Sequence, residues 1–144
     1  MTQDAKHALK TARNNLFSGA RVLPLGNHIA TYQQVRSIAH EADSPLYIRD
    51  VDKLDRQDDN AASRLFSAAT LRYLVDRHRQ NTGLIVYLFV FGELCDAYQN
   101  RRISHAERVI MVLRTRYFVQ MWSQYIEQVP HCERSEATGF MWTA

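Results

Sequence analysis

The chain has 144 residues, 46% hydrophobic and 23% charged, with a formal charge of +3. That length suits one domain able to bury roughly two thirds of its unfolded surface, and the composition excludes a disordered or fibrous chain. The mild positive charge permits an acidic partner such as nucleic acid without requiring one.

The opening stretch MTQDAKHALKTARNN is polar and lacks the apolar core of a signal peptide. Over residues 3–17, Ala5, Ala8, Leu9, Ala12 and Leu16 recur at helical spacing, which predicts a one-sided helix ending at Ser18 and Gly19. ARVLPLGN reads as an extended connector, because Pro24 has no amide donor and Gly26 punctuates the chain. A second helix is expected from His28 or Thr31 to Ala42, with Ile29, Tyr32, Val35, Ile38 and Ala39 on one side and Asp43-Ser44-Pro45 as its stop.

Residues 46–59 form a long connector with one helical turn expected around Asp52 to Arg56. It contains RDVDKLDRQDD, with carboxylates at 50, 52, 55, 58 and 59. A calcium loop needs a glycine at its sixth position and a bidentate acid at its twelfth. Counted from Asp50, those positions hold Asp55 and Ala61, so calcium is excluded. The electrostatic account is simpler: Asp58 and Asp59 stand at the positive end of the next helix, and Arg49, Lys53 and Arg56 neutralise part of the rest.

Asn60 is the expected cap of a third helix, AASRLFSAATLRYLVDRHR, whose Ala61, Ala62, Leu65, Phe66, Ala69, Leu71 or Tyr73, and Leu74 keep helical spacing. Asn81-Thr82-Gly83 breaks the chain. Residues 84–98 are then apolar nearly all round, and strand and buried helix compete there. Continuation through Glu93, Leu94, Ala97 and Tyr98 favours a helix at the centre of the fold. Its unbroken apolar run falls short of the roughly twenty residues a membrane span needs. Ser104 and Glu107 form a capping box that opens the longest helix, to about Gln128. Ile110, Leu113, Tyr117 and Met121 lie on one of its faces, with Phe118, Trp122 and Tyr125 beside them. Pro130 ends it. The expected architecture is all-α, a single domain of four to five helices over residues 1–130, followed by an irregular tail at 131–144.

Cys95 and Cys132 form no C-x-x-C pair, so a reduced, intracellular setting is the simplest expectation. The six histidines are scattered, and His131 beside Cys132 supplies only two of the four ligands of a closed zinc site. No nucleophile elbow, phosphate loop or dinucleotide turn occurs. The chain is therefore read as non-catalytic, with no metal and no cofactor. Arg77, Arg79, Arg101, Arg102, Arg108, Arg114 and Arg116 make no single stripe, since Arg114 and Arg116 point about 200° apart on a helix. A solvated surface is favoured over a dedicated nucleic-acid face, and Tyr117, Phe118 and Trp122 read as core.

The stretches DKLDRQDDNAASRLFSAATLRYL and LIVYLFVFGELCDAYQNR resemble the central inserted region of THAP-type, P-element-like transposases, over about residues 28–101. The resemblance implies a largely helical insertion that binds guanine nucleotide, and a nuclear location. It assigns nucleotide contact to Lys53 and Gln57 at the start of one helix, and to Asp96, Asn100 and Arg101 at the end of another. A zinc-binding DNA-reading module and an acid triad on strands are not seen, so such a chain could not cut or join DNA alone. The expected function is a non-catalytic helical module related to transposon-encoded proteins, binding guanine nucleotide or nucleic acid. The alternative is an unrelated helical protein–protein interaction domain, with a protein partner or a second copy of itself.

Overall fold

A computed structural model describes residues 5–18, 23–52 and 55–128. The apolar run at 84–98 is helical, within α6 (Thr82–Gln99). Apolar side chains on every side need cover on every side. The cover comes from α1 (Ala5–Phe17), α5 (Ala68–Arg77), α7 (His105–Gln128) and the second strand of a small hairpin, all of which contact α6. Tyr87, in the middle of α6, is wholly buried, and its hydroxyl donates to the Ala12 carbonyl at 2.9 Å, which satisfies its polar tip. Leu84, Leu88 and Phe91 join Leu9, Ala12 and Leu16 of α1 and Trp122 and Ile126 of α7 in one core.

Two glycines allow close backbone approach to α6. A Cβ on Gly83 would lie 2.4 Å from the Ile29 carbonyl oxygen, and one on Gly92 would lie 2.9 Å from that of Phe66.

The all-α expectation holds: among the described residues five helices reach eight residues or more, and two shorter ones and a two-stranded hairpin complete the element order. The expected connector at 20–27 departs from this, because β1 (Leu23–Leu25) and β2 (His28–Ala30) pair antiparallel, with Leu23 opposite Ala30. Gly26 takes a φ of 66° at the first position of the two-residue turn, where an L side chain would be strained. Pro24 donates nothing to the ladder, but its carbonyl accepts from Trp122 Nε1 at 2.8 Å. Tyr125 in turn donates to the Gly26 carbonyl at 3.0 Å.

The second helix is α2 (Tyr32–Ala39), opened by a capping box between Thr31 and Gln34. The helical turn expected around Asp52 to Arg56 falls earlier, as α3 (Ile48–Asp52). The expected helix from Asn60 onward is two helices, α4 (Asp59–Leu65) and α5, broken at Phe66 and Ser67. Asp58, not Asn60, caps α4, because its Oδ1 accepts from the amides of Asn60 and Ala61 at 2.9 and 3.0 Å. Ser67 caps α5. The capping box of Ser104 and Glu107 stands in front of α7 as expected. The tail at 131–144, with His131 and Cys132, lies outside the described residues, as does Lys53.

Candidate functional site

The acidic segment is tied down from inside the protein. Arg13, 1% exposed, donates from Nη2 to the Asp50 carbonyl at 2.8 Å and from Nη1 to the Asp55 carbonyl at 2.9 Å. The Asp50 carboxylate is gripped by Arg64 through two nitrogens, at 2.8 and 2.6 Å, and accepts from the Tyr47 amide at 3.1 Å. Burial pushes the Asp50 carboxyl up, but the Arg64 hydrogen bonds, the Tyr47 amide and the charges of Arg64 and Arg13 outweigh it and hold it below its ordinary value. Arg13 is itself lowered by burial. Asp58 spends its carboxylate on the α4 cap, and Asp59 pairs with Lys10 at 3.1 Å. The ion-pairing cations therefore come from outside the segment, Arg64 on Asp50, Arg36 on Asp52 at 3.2 Å and Lys10 on Asp59, with Arg13 beneath on the backbone carbonyls. Chemically this is a structural clamp whose acceptors are already occupied. Among the described residues, no group of three or more His, Cys, Asp or Glu could hold a metal ion.

Of the nucleotide-contact residues assigned by resemblance, Asp96, Asn100 and Arg101 stand together at the C-terminal end of α6. Asp96 and Arg101 are exposed. Asn100 is the C-cap: its amide donates to the Asp96 carbonyl at 2.9 Å, and its side-chain oxygen accepts from the Arg102 amide at 3.0 Å. Gln57 is elsewhere, on the turn before α4, where its side chain accepts from Lys10 of α1 at 3.4 Å. No described hydrogen bond, ion pair or cleft joins Gln57 to the α6 end. Arg108, on the first turns of α7, donates to the carbonyls of Ala97, Asn100 and Ile103 and so closes that helix end from below.

A further polar cluster joins the turn after α2 to the C-terminal end of α5. Glu41 accepts from the Tyr73 hydroxyl, His78 Nε2 lies 2.8 Å from its other oxygen, and Arg77 stacks over Tyr73 while reaching Asp43 at 3.3 Å. The Tyr73 hydrogen bond holds the Glu41 carboxyl below its ordinary value. Each group has a partner within the cluster, so it serves as a second clamp.

The surface that sequence reasoning placed wrongly is the outer side of α7. Tyr117 was expected in the core, yet it is 60% exposed, with Met121 at 62%, Ile110 at 55% and Val109 at 49%. Leu113 is exposed as well, and Tyr98 of α6 stands beside it across a shallow cleft that also includes Ala97, Val109 and Val112. The buried side of α7 is Thr115, Trp122 and Ile126. Leu113 and Trp122, nine positions apart, point about 180° from each other around the helix. α7 is thus apolar on two opposite sides, and α6 covers only one. At the far end of the outer side, Met121 borders a cleft of about 230 Å³ between α7 and the hairpin, walled by Leu25, Val86, Phe118, Trp122 and Tyr125. A signal for this surface is present in the sequence, since two apolar stripes share one helix.

No helix of the described residues is long and apolar enough to cross a membrane. No family model matches the chain, and neither a curated protein nor a solved structure matches it.

Proposed function

We propose that this chain is a non-catalytic helical module that works by docking the apolar face of another protein helix onto the outer side of α7. The observation that supports this is the exposure of Ile110, Leu113, Tyr117 and Met121 on the side of the helix opposite Thr115, Trp122 and Ile126. A helix that only covers a core presents polar residues outward. A contiguous exposed apolar face instead marks an interaction surface. Arg114 and Arg116, both exposed, flank the stripe on its two sides and supply a polar rim, while Gln120 and Gln124 stand within the face toward its C-terminal end. Side chains at spacings of three and four form a ridge, which fits the groove of a second helix. The test is Leu113→Ser combined with Tyr117→Ser in the full chain. At a concentration low enough to keep the chain monomeric, the thermal midpoint and helical circular dichroism should match the wild type, while binding of a hydrophobic dye falls. A midpoint as low as that of Trp122→Ala would mean that the stripe packs within the chain, and would remove the proposal.

A second function follows the transposase resemblance: guanine nucleotide bound at the C-terminal end of α6. Asp96 and Arg101 favour it, their side chains being exposed and, among the described residues, without a described side-chain hydrogen bond or ion pair. A free carboxylate can accept two hydrogens from a guanine edge, and a free guanidinium can grip phosphate.

A further inference from the structure

Resting on the docking role of α7, we infer that the partner is a second copy of this chain, its α7 packed antiparallel to the first across a two-fold axis between Leu113 and Tyr117. A two-fold interface must be complementary to itself. An axis level with residue 115 meets this condition, because it sets Leu113 of each copy against Tyr117 of the other, a smaller side chain against a larger one. The same axis sets Val109 against Met121, and all four of these side chains are exposed.

The area suits the assignment. With Tyr98 and Val109 included, the exposed parts of the face come to on the order of 600 Å² per copy, close to the ~800 Å² a side of a stable interface once its polar rim is added.

Charge selects the direction. Arg101 and Arg102 are exposed on the turn before α7, and Glu127 is exposed near its other end. About a residue-115 axis, position 127 of one copy falls level with position 103 of the other, so Glu127 meets the arginine turn. A parallel pair would set glutamate against glutamate and arginine against arginine. Antiparallel packing also opposes the two helix dipoles. The stripe itself carries no carboxylate that would have to be buried.

Sedimentation equilibrium of the full chain over about 1–100 µM tests this, a range that brackets micromolar dissociation constants. A dimer mass is expected, and Leu113→Ser with Tyr117→Ser should sediment as a folded monomer. Arg102→Glu and Glu127→Arg should each weaken the dimer about two- to fivefold, and the double charge exchange should restore it. A dimer whose two charge substitutions act independently overturns the antiparallel arrangement, as these residues would be roughly 38 Å apart in a parallel pair. A dimer unaffected by the serine substitutions, or a wild type monomeric throughout, overturns the inference. If the wild type is monomeric and the serine variant keeps its thermal midpoint, the docking role of α7 survives. If that midpoint drops, both fall.

Discussion

Arg64 reaches Asp50 with Nε 2.8 Å from Oδ2 and Nη2 2.6 Å from Oδ1, a two-pronged grip on a carboxylate that is 4% exposed. Asp50→Asn keeps the shape and removes the charge that faces both Arg64 and Arg13. Leaving one member of a buried pair uncompensated costs about 3 kcal/mol, and urea unfolding should show a loss of that order. Arg64→Lys should recover only part of it, because an ammonium cannot reproduce the planar fork. A loss below about 0.5 kcal/mol, the usual scale of a surface substitution, would mean that the grip holds nothing together.

The acid limb of stability follows from the same group. The folded Asp50 carboxyl is held below its ordinary value, as is that of Glu41. A group depressed in the fold contributes stability above its unfolded pKa and loses it as pH falls through the folded one. Stability should therefore be level from neutrality to about pH 5 and fall below about pH 4, where unfolded carboxylates take up protons first. In Asp50→Asn the fall should be shallower. Urea titrations at a series of pH values measure it, and an unchanged slope would remove Asp50 from the acid response.

Gly83→Ala should destabilise even though alanine is the better helix former by about 1 kcal/mol. Its Cβ would stand 2.4 Å from the Ile29 carbonyl, so the hairpin must move, at a cost of about 1–3 kcal/mol. Gly92→Ala, with its nearest atom at 2.9 Å, should lose less. Thermal unfolding of the two variants gives the order directly. Equal or raised midpoints would show that the hairpin does not sit tightly on α6.

Guanine nucleotide can be tested at the α6 end by calorimetric titration. If the second function holds, the wild type binds and Asp96→Ala loses at least about tenfold, the equivalent of 1.4 kcal/mol. Arg101→Ala should weaken the same binding through the phosphates. No heat from the wild type at millimolar nucleotide would remove that function and leave the α7 surface as the working face.

Features set by local chemistry were legible in the sequence. The capping box of Ser104 and Glu107 needs four residues, and the all-round apolarity of α6 needs one segment, so both could be read before any tertiary contact was known. The break at Ser67 was not read, although Ser67 is itself a good cap, because Phe66 and Leu74 keep the helical period across it. The Thr70 hydroxyl donating to the Arg64 carbonyl at 2.7 Å, and the approach of the Phe66 carbonyl to Gly92, help hold the two helices apart. Arg13 was overlooked, yet it sits between Leu9 and Leu16 on the buried side of α1, where a cation requires partners. On α7 Tyr117 was read into the core with Phe118 and Trp122, although it shares a face with Ile110, Leu113 and Met121. Which face meets the core is decided by α6, and equal hydrophobicity on both sides hid the answer.

The hairpin at residues 23–30 is fastened by Trp122 and Tyr125, whose bonds to Pro24 and Gly26 span 98 and 99 positions of chain. Contacts so distant in sequence cannot close until all the residues between them exist, and they slow a folding reaction accordingly. On the ribosome this ribbon must wait for a turn of helix made long after it. The hairpin is therefore fastened only once this part of α7 has been made, and a chain cut before Trp122 would leave the ribbon unmoored.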